Sequence, residues 1–189
     1  MDIGSYPKLS IHKLMSAPGS AALQIKAMDG PELLECKLEM LQLKEQGITV
    51  SAIQGGKEQI INIKGSDKLP SVATEFEVID PLSKLKIGTV KRQAWKPFQR
   101  SIWYLTDAQG TEIGSLSETN AFLAILHELH FLSIIPKKYT VQLGSDRVAK
   151  FSRMPLIDVL WLDFSDDRNA SLDRRLGLAA GIVLCVVGK

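Results

Sequence analysis

The feature that most limits what this chain can fold into is its C-terminal stretch, SLDRRLGLAAGIVLCVVGK, residues 171–189. From Leu176 to Val187, twelve residues run without a charged side chain. At about 1.5 Å per residue a helix over them is about 18 Å long, well short of the roughly 30 Å hydrocarbon core of a bilayer. Counting from Leu172 lengthens it only by including Asp173, Arg174 and Arg175. The same residues are apolar on every side, so the helix cannot rest on a surface with one face in water. It must be enclosed by protein. Ser171 is the expected N-cap, Asp173 suits the positive end of the helix dipole, and Gly188 suits the C-terminal cap, which bounds a helix of about 16 residues. Gly177, Ala179, Ala180 and Gly181 keep it slim. The spacing of Gly177 and Gly181 is also that of a membrane helix dimer, so a tail anchor or hairpin insertion stays open as the competing reading.

Strands are the natural enclosure. Runs of about six to nine β-branched and apolar residues recur between Gly, Asp, Asn, Pro and Ser: ALQIKAM, GITVSAI, EQIINIK, TEFEVID, LKIGTVKR, RSIWYLT, TEIGSLS, KYTVQLG, RVAKFSR and IDVLWLDFS. This is the rhythm of an antiparallel meander. DPLSK after Val78–Ile79, DAQG at 107–110 and GSD at 144–146 read as tight turns. LLECKLEMLQLKEQG fits both periods, with Leu34, Cys36, Leu38 and Met40 alternating, and the reading leans to a strand. One amphipathic helix interrupts the strands at SETNAFLAILHELHFL, where Phe122, Ile125, Leu126, Leu129 and Leu132 share a stripe and Ser117 or Thr119 is the expected cap. Pro136 ends it.

Composition adds exclusions. Hydrophobic residues make up 45% of the 189 and charged residues 23%, an ordinary globular balance that excludes disordered and fibrous classes. A net charge of +2 gives no reason to expect nucleic acid as a partner. Cys36 and Cys185 are far apart and do not suggest a disulfide framework. The N-terminal residues carry no continuous apolar core after a basic start, so a cytoplasmic location is the expectation.

Taken together, FEVIDPLSKLKIGTVKR, WYLTDAQGTEIGSL, YTVQLGSDRVAKFSR and above all SLDRRLGLAAGIVLCVV resemble the Tubby C-terminal-like superfamily, particularly its LURP-one-related and phospholipid scramblase-like branch. The resemblance runs from about Thr74 to the end of the chain. It implies a mainly β (α+β) fold: a closed antiparallel β-barrel of about twelve strands around a central hydrophobic C-terminal helix, with one additional amphipathic helix. Residues 1–189 then form a single domain, in which 20–70 complete the barrel and 1–19 are a candidate flexible arm. The cysteine-rich stretch and EF-hand-like loop of eukaryotic scramblases are not in this sequence.

Between Ser83 and Thr106 lie Lys84, Lys86, Lys91, Arg92, Lys96 and Arg100 with no acidic residue, interleaved with Trp95, Phe98 and Trp103. Cations beside aromatic rings suit an anionic lipid headgroup, with Lys or Arg on phosphate and the rings at the interface. The competing reading is a solvated strand face with the tryptophans packed against the barrel. His127, Glu128 and His130 are not HExxH, and no third ligand stands near, so they read as a polar helix face. Asp158, Asp163, Asp166, Asp167 and Asp173 suit solubility and capping. No GxSxG, P-loop or dinucleotide fingerprint is present, and neither a cofactor nor a metal is expected. The expectation is a non-enzymatic ligand-binding domain for anionic phospholipid or phosphoinositide headgroups, in peripheral contact with a membrane. The alternatives are a scramblase-like membrane-associated protein anchored by the C-terminal helix, or a protein-interaction module.

Overall fold

The computed structural model describes residues 2–15, 20–28, 30–39, 47–53, 58–65, 75–93, 102–119 and 136–187. Twelve strands form one closed antiparallel barrel: β1 (Lys8–Met15), β2 (Ser20–Ala27), β3 (Glu32–Glu39), β4 (Ile48–Ala52), β5 (Gln59–Gly65), β6 (Glu75–Ile79), β7 (Lys86–Arg92), β8 (Ile102–Thr106), β9 (Glu112–Glu118), β10 (Lys137–Leu143), β11 (Asp146–Met154) and β12 (Val159–Asp163). Each strand pairs with its neighbours in sequence, and β1 pairs with β12 to complete the ring. Closure leaves no edge with unpaired backbone groups. Successive side chains on a strand point to opposite faces, and one row of each strand is buried. Ile48, Val50 and Ala52 of β4, Ile61 and Ile63 of β5, Trp103 and Leu105 of β8, and Leu160 and Leu162 of β12 all belong to one core.

One sequence reading changes and one is resolved as expected. Residues 8–15 are not part of a flexible arm but the seam strand β1, in register from Lys8 opposite Asp163 to His12 opposite Val159. The ambiguous stretch after Glu32 is a strand through Glu39, with Leu34 and Cys36 in the core. The amphipathic pattern, including His127, Glu128 and His130, falls on 120–135, outside the described residues. Its expected cap Ser117 lies inside β9, opposite Ile102 and Thr140.

The C-terminal helix spans Arg174–Val187, and every residue from Leu176 to Cys185 is buried. It begins later than expected because Asp173, not Ser171, is the cap: its carboxylate accepts the Arg175 N–H at 2.8 Å and its carbonyl the Gly177 N–H at 3.0 Å. The helix touches β1 and β12 on one side of the ring and β5, β6 and β7 on the other. A Cβ placed on Gly181 would lie 2.9 Å from one Leu162 methyl and 3.1 Å from Ile11 Cδ1, and one on Gly177 would lie 2.7 Å from the Phe164 ring. The glycines therefore set how closely the strands approach. Among the described residues no helix is long and apolar enough to cross a membrane.

Candidate functional site

Strand geometry divides the basic segment. Lys84 sits in the β6–β7 hairpin and Lys86 opens β7, while Lys91 and Arg92 end that strand. At about 3.3 Å per residue, Lys86 and Arg92 are about 20 Å apart. Alternation then separates the last two residues. Lys91 faces outward, 3.7 Å from Glu75. Arg92 shares the inward face with Val90 and lies across from Trp103, its guanidinium 5.5 Å from the ring centroid. Trp103 is 2% exposed and packs at a tilt against Phe76. Trp95, Lys96, Phe98 and Arg100 lie outside the described residues. The five candidate side chains among the described residues, Lys84, Lys86, Lys91, Arg92 and Trp103, thus do not form one patch.

The Lys84 end has a built geometry. The Asp80 carboxylate accepts the N–H groups of Leu82 at 2.8 Å and Ser83 at 3.1 Å, its carbonyl accepts Lys84 N–H, and its own N–H reaches Leu85 O. The second carboxylate oxygen is 2.9 Å from Arg175 Nη1 on the C-terminal helix. The amides of Ser83 and Leu82, with Arg175 behind them, hold the Asp80 carboxyl below the usual aspartate range. Lys84 adopts φ 60°, the left-handed region that non-glycine residues rarely occupy. It enters no ion pair among the described residues, whereas Lys86 lies 3.3 Å from Glu77. Flanking Lys84, Leu82 is 79% exposed and Leu85 69%. Sequence reading treats DPLSK as a plain turn and passes over these leucines, although leucine is unusual at turn positions that favour Gly, Pro, Asn, Asp and Ser.

At the same end Asp167 secures the approach to the helix. Its carboxylate accepts Ser171 N–H at 2.8 Å, Ser171 O–H at 2.6 Å and Leu172 N–H at 3.2 Å, and lies 3.6 Å from Arg174, whose guanidinium covers the Phe164 ring at 4.6 Å. The other acidic residues of this region are also matched: Asp158 with Lys13 and Arg153, Asp163 with Lys8, and Asp166 with Arg147 and Lys150.

The opposite end carries a different layer. Glu118 opposes Tyr139 and Lys137 opposes Arg153. By alternation with buried Tyr139 and Phe151, both Lys137 and Arg153 face inward, as Arg92 does. Burial pushes the Lys137 ammonium down and the Tyr139 phenol up, and Glu118 adds to the latter. Cys185 on the helix lies within reach of the Arg153 charge.

No known family model matches this chain, and no curated protein matches it.

Proposed function

We propose that this chain is a non-enzymatic ligand-binding domain of the Tubby C-terminal-like kind, with its C-terminal helix running through the barrel, and that it binds anionic phospholipid or phosphoinositide headgroups. Contacts from the helix to β1 and β12 on one side and β5 to β7 on the other support an enclosed helix over an anchor. The observation that carries the functional reading is Lys84, exposed, without an ion pair among the described residues, and held at φ 60° beside Lys86. Backbone strain of this kind persists where surrounding bonds over-determine it and is a mark of binding sites. A phosphate oxygen is a charge-assisted acceptor for a lysine placed in this way. Each lysine near an anionic membrane surface contributes about 1 kcal/mol.

Liposome co-sedimentation tests this. The protein should pellet with vesicles containing anionic lipid, less so as salt rises, and not with neutral vesicles. Lys84→Glu with Lys86→Glu should lower the bound fraction severalfold. Equal partitioning onto neutral and anionic vesicles would sink the reading. Release of the protein from cells in low salt without detergent is expected for an enclosed helix, and a requirement for detergent would favour the scramblase-like alternative.

A further inference from the structure

Among the described residues, four of the eight large exposed apolar side chains lie on one rim of the barrel. Met28 lies in the β2–β3 connection, Ile53 in the β4–β5 connection, and Leu82 and Leu85 in the β6–β7 hairpin. These connections are successive on a single rim, the one at the N-terminal end of the helix. With strands about 4.8 Å apart, neighbouring tips stand about 10 Å from one another. The rest of that rim is polar and charged in both senses, carrying Asp107 and Gln109 at β8–β9, Ser145, Asp146 and Arg147 at β10–β11, and Asp166, Arg168 and Asp173 before the helix. Leu82 and Leu85 thus stand on this rim beside Lys84, which enters no ion pair among the described residues, with Glu32 and Glu58 at the neighbouring connections.

We propose that the β6–β7 hairpin on this rim seats the domain on an anionic bilayer, Leu82 and Leu85 entering the boundary between headgroups and acyl chains while Lys84 between them contacts lipid phosphate. This rests on the headgroup binding proposed above and adds that the headgroup is read within a bilayer. Apolar side chains interleaved with a cation are what the interface accommodates, since the rings and chains sit below the phosphates and the ammonium reaches up to them. The hairpin is already ordered by Asp80 and Arg175, so little freedom is lost on insertion. Leu14, Leu156 and Ile157 are exposed at the opposite end of the barrel, and Trp161 on the outer face of β12. At that opposite end the cations nearest the turn, Lys13 and Arg153, lie 4.0 Å and 3.4 Å from Asp158.

The experiment attaches an environment-sensitive fluorophore to Leu82→Cys and, as a control on the β8–β9 turn, to Gln109→Cys. Cys36 and Cys185 are buried with their thiols pushed up to about 12, so they stay unlabelled in the folded protein. With vesicles of phosphatidylcholine and phosphatidylserine, the probe at 82 should shift to the blue and be quenched by bilayer-embedded quenchers, and the probe at 109 should not. An unlabelled Leu82→Ser, Leu85→Ser variant with unchanged thermal unfolding should bind these vesicles at least about tenfold more weakly. If the parent fails to bind anionic vesicles, the headgroup reading falls and this inference with it. If the parent binds while the probe at 82 remains in water and the double serine variant binds equally well, only the bilayer seat is overturned. Displacement by soluble glycerophosphoserine at the concentration of accessible lipid headgroups would place recognition in the free headgroup, and would overturn it too.

Discussion

The two ends of the C-terminal helix face opposite charges. At its N-terminal end the partners are carboxylates, Asp167 and Asp173, accepting N–H groups of Ser171, Leu172 and Arg175. At its C-terminal end the inward layer is mostly basic, Arg92, Lys137 and Arg153 against Glu118. Both arrangements match the helix dipole, positive at its start and negative at its end. They differ in where the partners come from. Asp167 to Arg175 are adjacent in the chain, so that end can form together with the helix. The basic layer comes from β7, β10 and β11 and exists only once those strands are paired. One end is local, the other is a product of the closed ring.

Removing the local end should have the largest effect. Asp167→Ala strands two backbone N–H groups and leaves Arg174, whose side chain is 14% exposed, without its carboxylate. A loss on the order of 3 kcal/mol is expected in urea unfolding, and a change below about 0.5 kcal/mol would mean that the N-terminal end is not held this way. Midway between the ends, Gly181→Leu forces side-chain atoms into Leu162 and Ile11 and should cost about 1–3 kcal/mol or leave the protein insoluble. Gln109→Ala on an exposed turn is the control. A leucine variant as stable as the parent would show that the helix is not tightly enclosed.

pH should separate the ends. Burial alone would raise the Asp167 carboxyl, but the hydrogen bonds from Ser171 and Leu172 and the Arg174 charge outweigh it and hold it below the ordinary aspartate range. Asp173 is depressed in the same way, its burial outweighed chiefly by Arg175. A depressed carboxylate contributes stability that is complete above the ordinary value of 3.8 and is lost as pH falls through the folded one. Cys185, near the other end, is raised by burial from 9.0 to about 12 against the smaller opposing charge of Arg153. Its neutral thiol contributes stability that is present below 9.0 and is lost as pH rises toward about 12. Residue-resolved NMR should therefore show Ser171 and Leu172 loosening first in acid, and Tyr139 and Cys185 first in alkali. Simultaneous loosening of both ends in acid would erase the distinction. A smaller effect is expected from Arg175→Ala, which breaks partly exposed pairs with both Asp80 and Asp173, each worth about 0.2–1 kcal/mol, and should be seen as increased motion of Leu82 to Leu85 and a rise of the Asp173 carboxyl toward its ordinary value.

Most strands were legible because a half-buried strand writes its period into the sequence. β1 was not, because KLSIHKLM puts Ser, His and Lys around Leu9 and Ile11, too little apolar signal for a strand whose role is to close the ring. The helix was legible from its unbroken apolar run, and its start was missed because Ser171 gives its N–H and hydroxyl to Asp167 and so cannot cap. The candidate site was the least legible part. A run of cations in sequence is a cluster in space only if the backbone turns, and β7 is straight, so Lys86 and Arg92 end up at opposite ends and Lys91 and Arg92 on opposite faces. Clustering by charge also hid the leucines at 82 and 85, which mark the hairpin more clearly than its lysines do.

Ring closure between β1 and β12 has a consequence for how the protein is made. Lys8 leaves the ribosome first, and its partner Asp163 follows about 155 residues later, so at about 5–20 residues per second the first strand waits on the order of 10 s for one of its two neighbours. The apolar helix that fills out the core is translated later still. Until then the growing meander has an open edge and inward faces with little to pack against, a state that invites pairing with other chains. Circular permutation that links the end of the C-terminal helix to the start of β1 and opens the ring at an exposed turn such as Gln109 would bring the two partners of that late seam much closer together in sequence, and should speed refolding without altering the finished barrel.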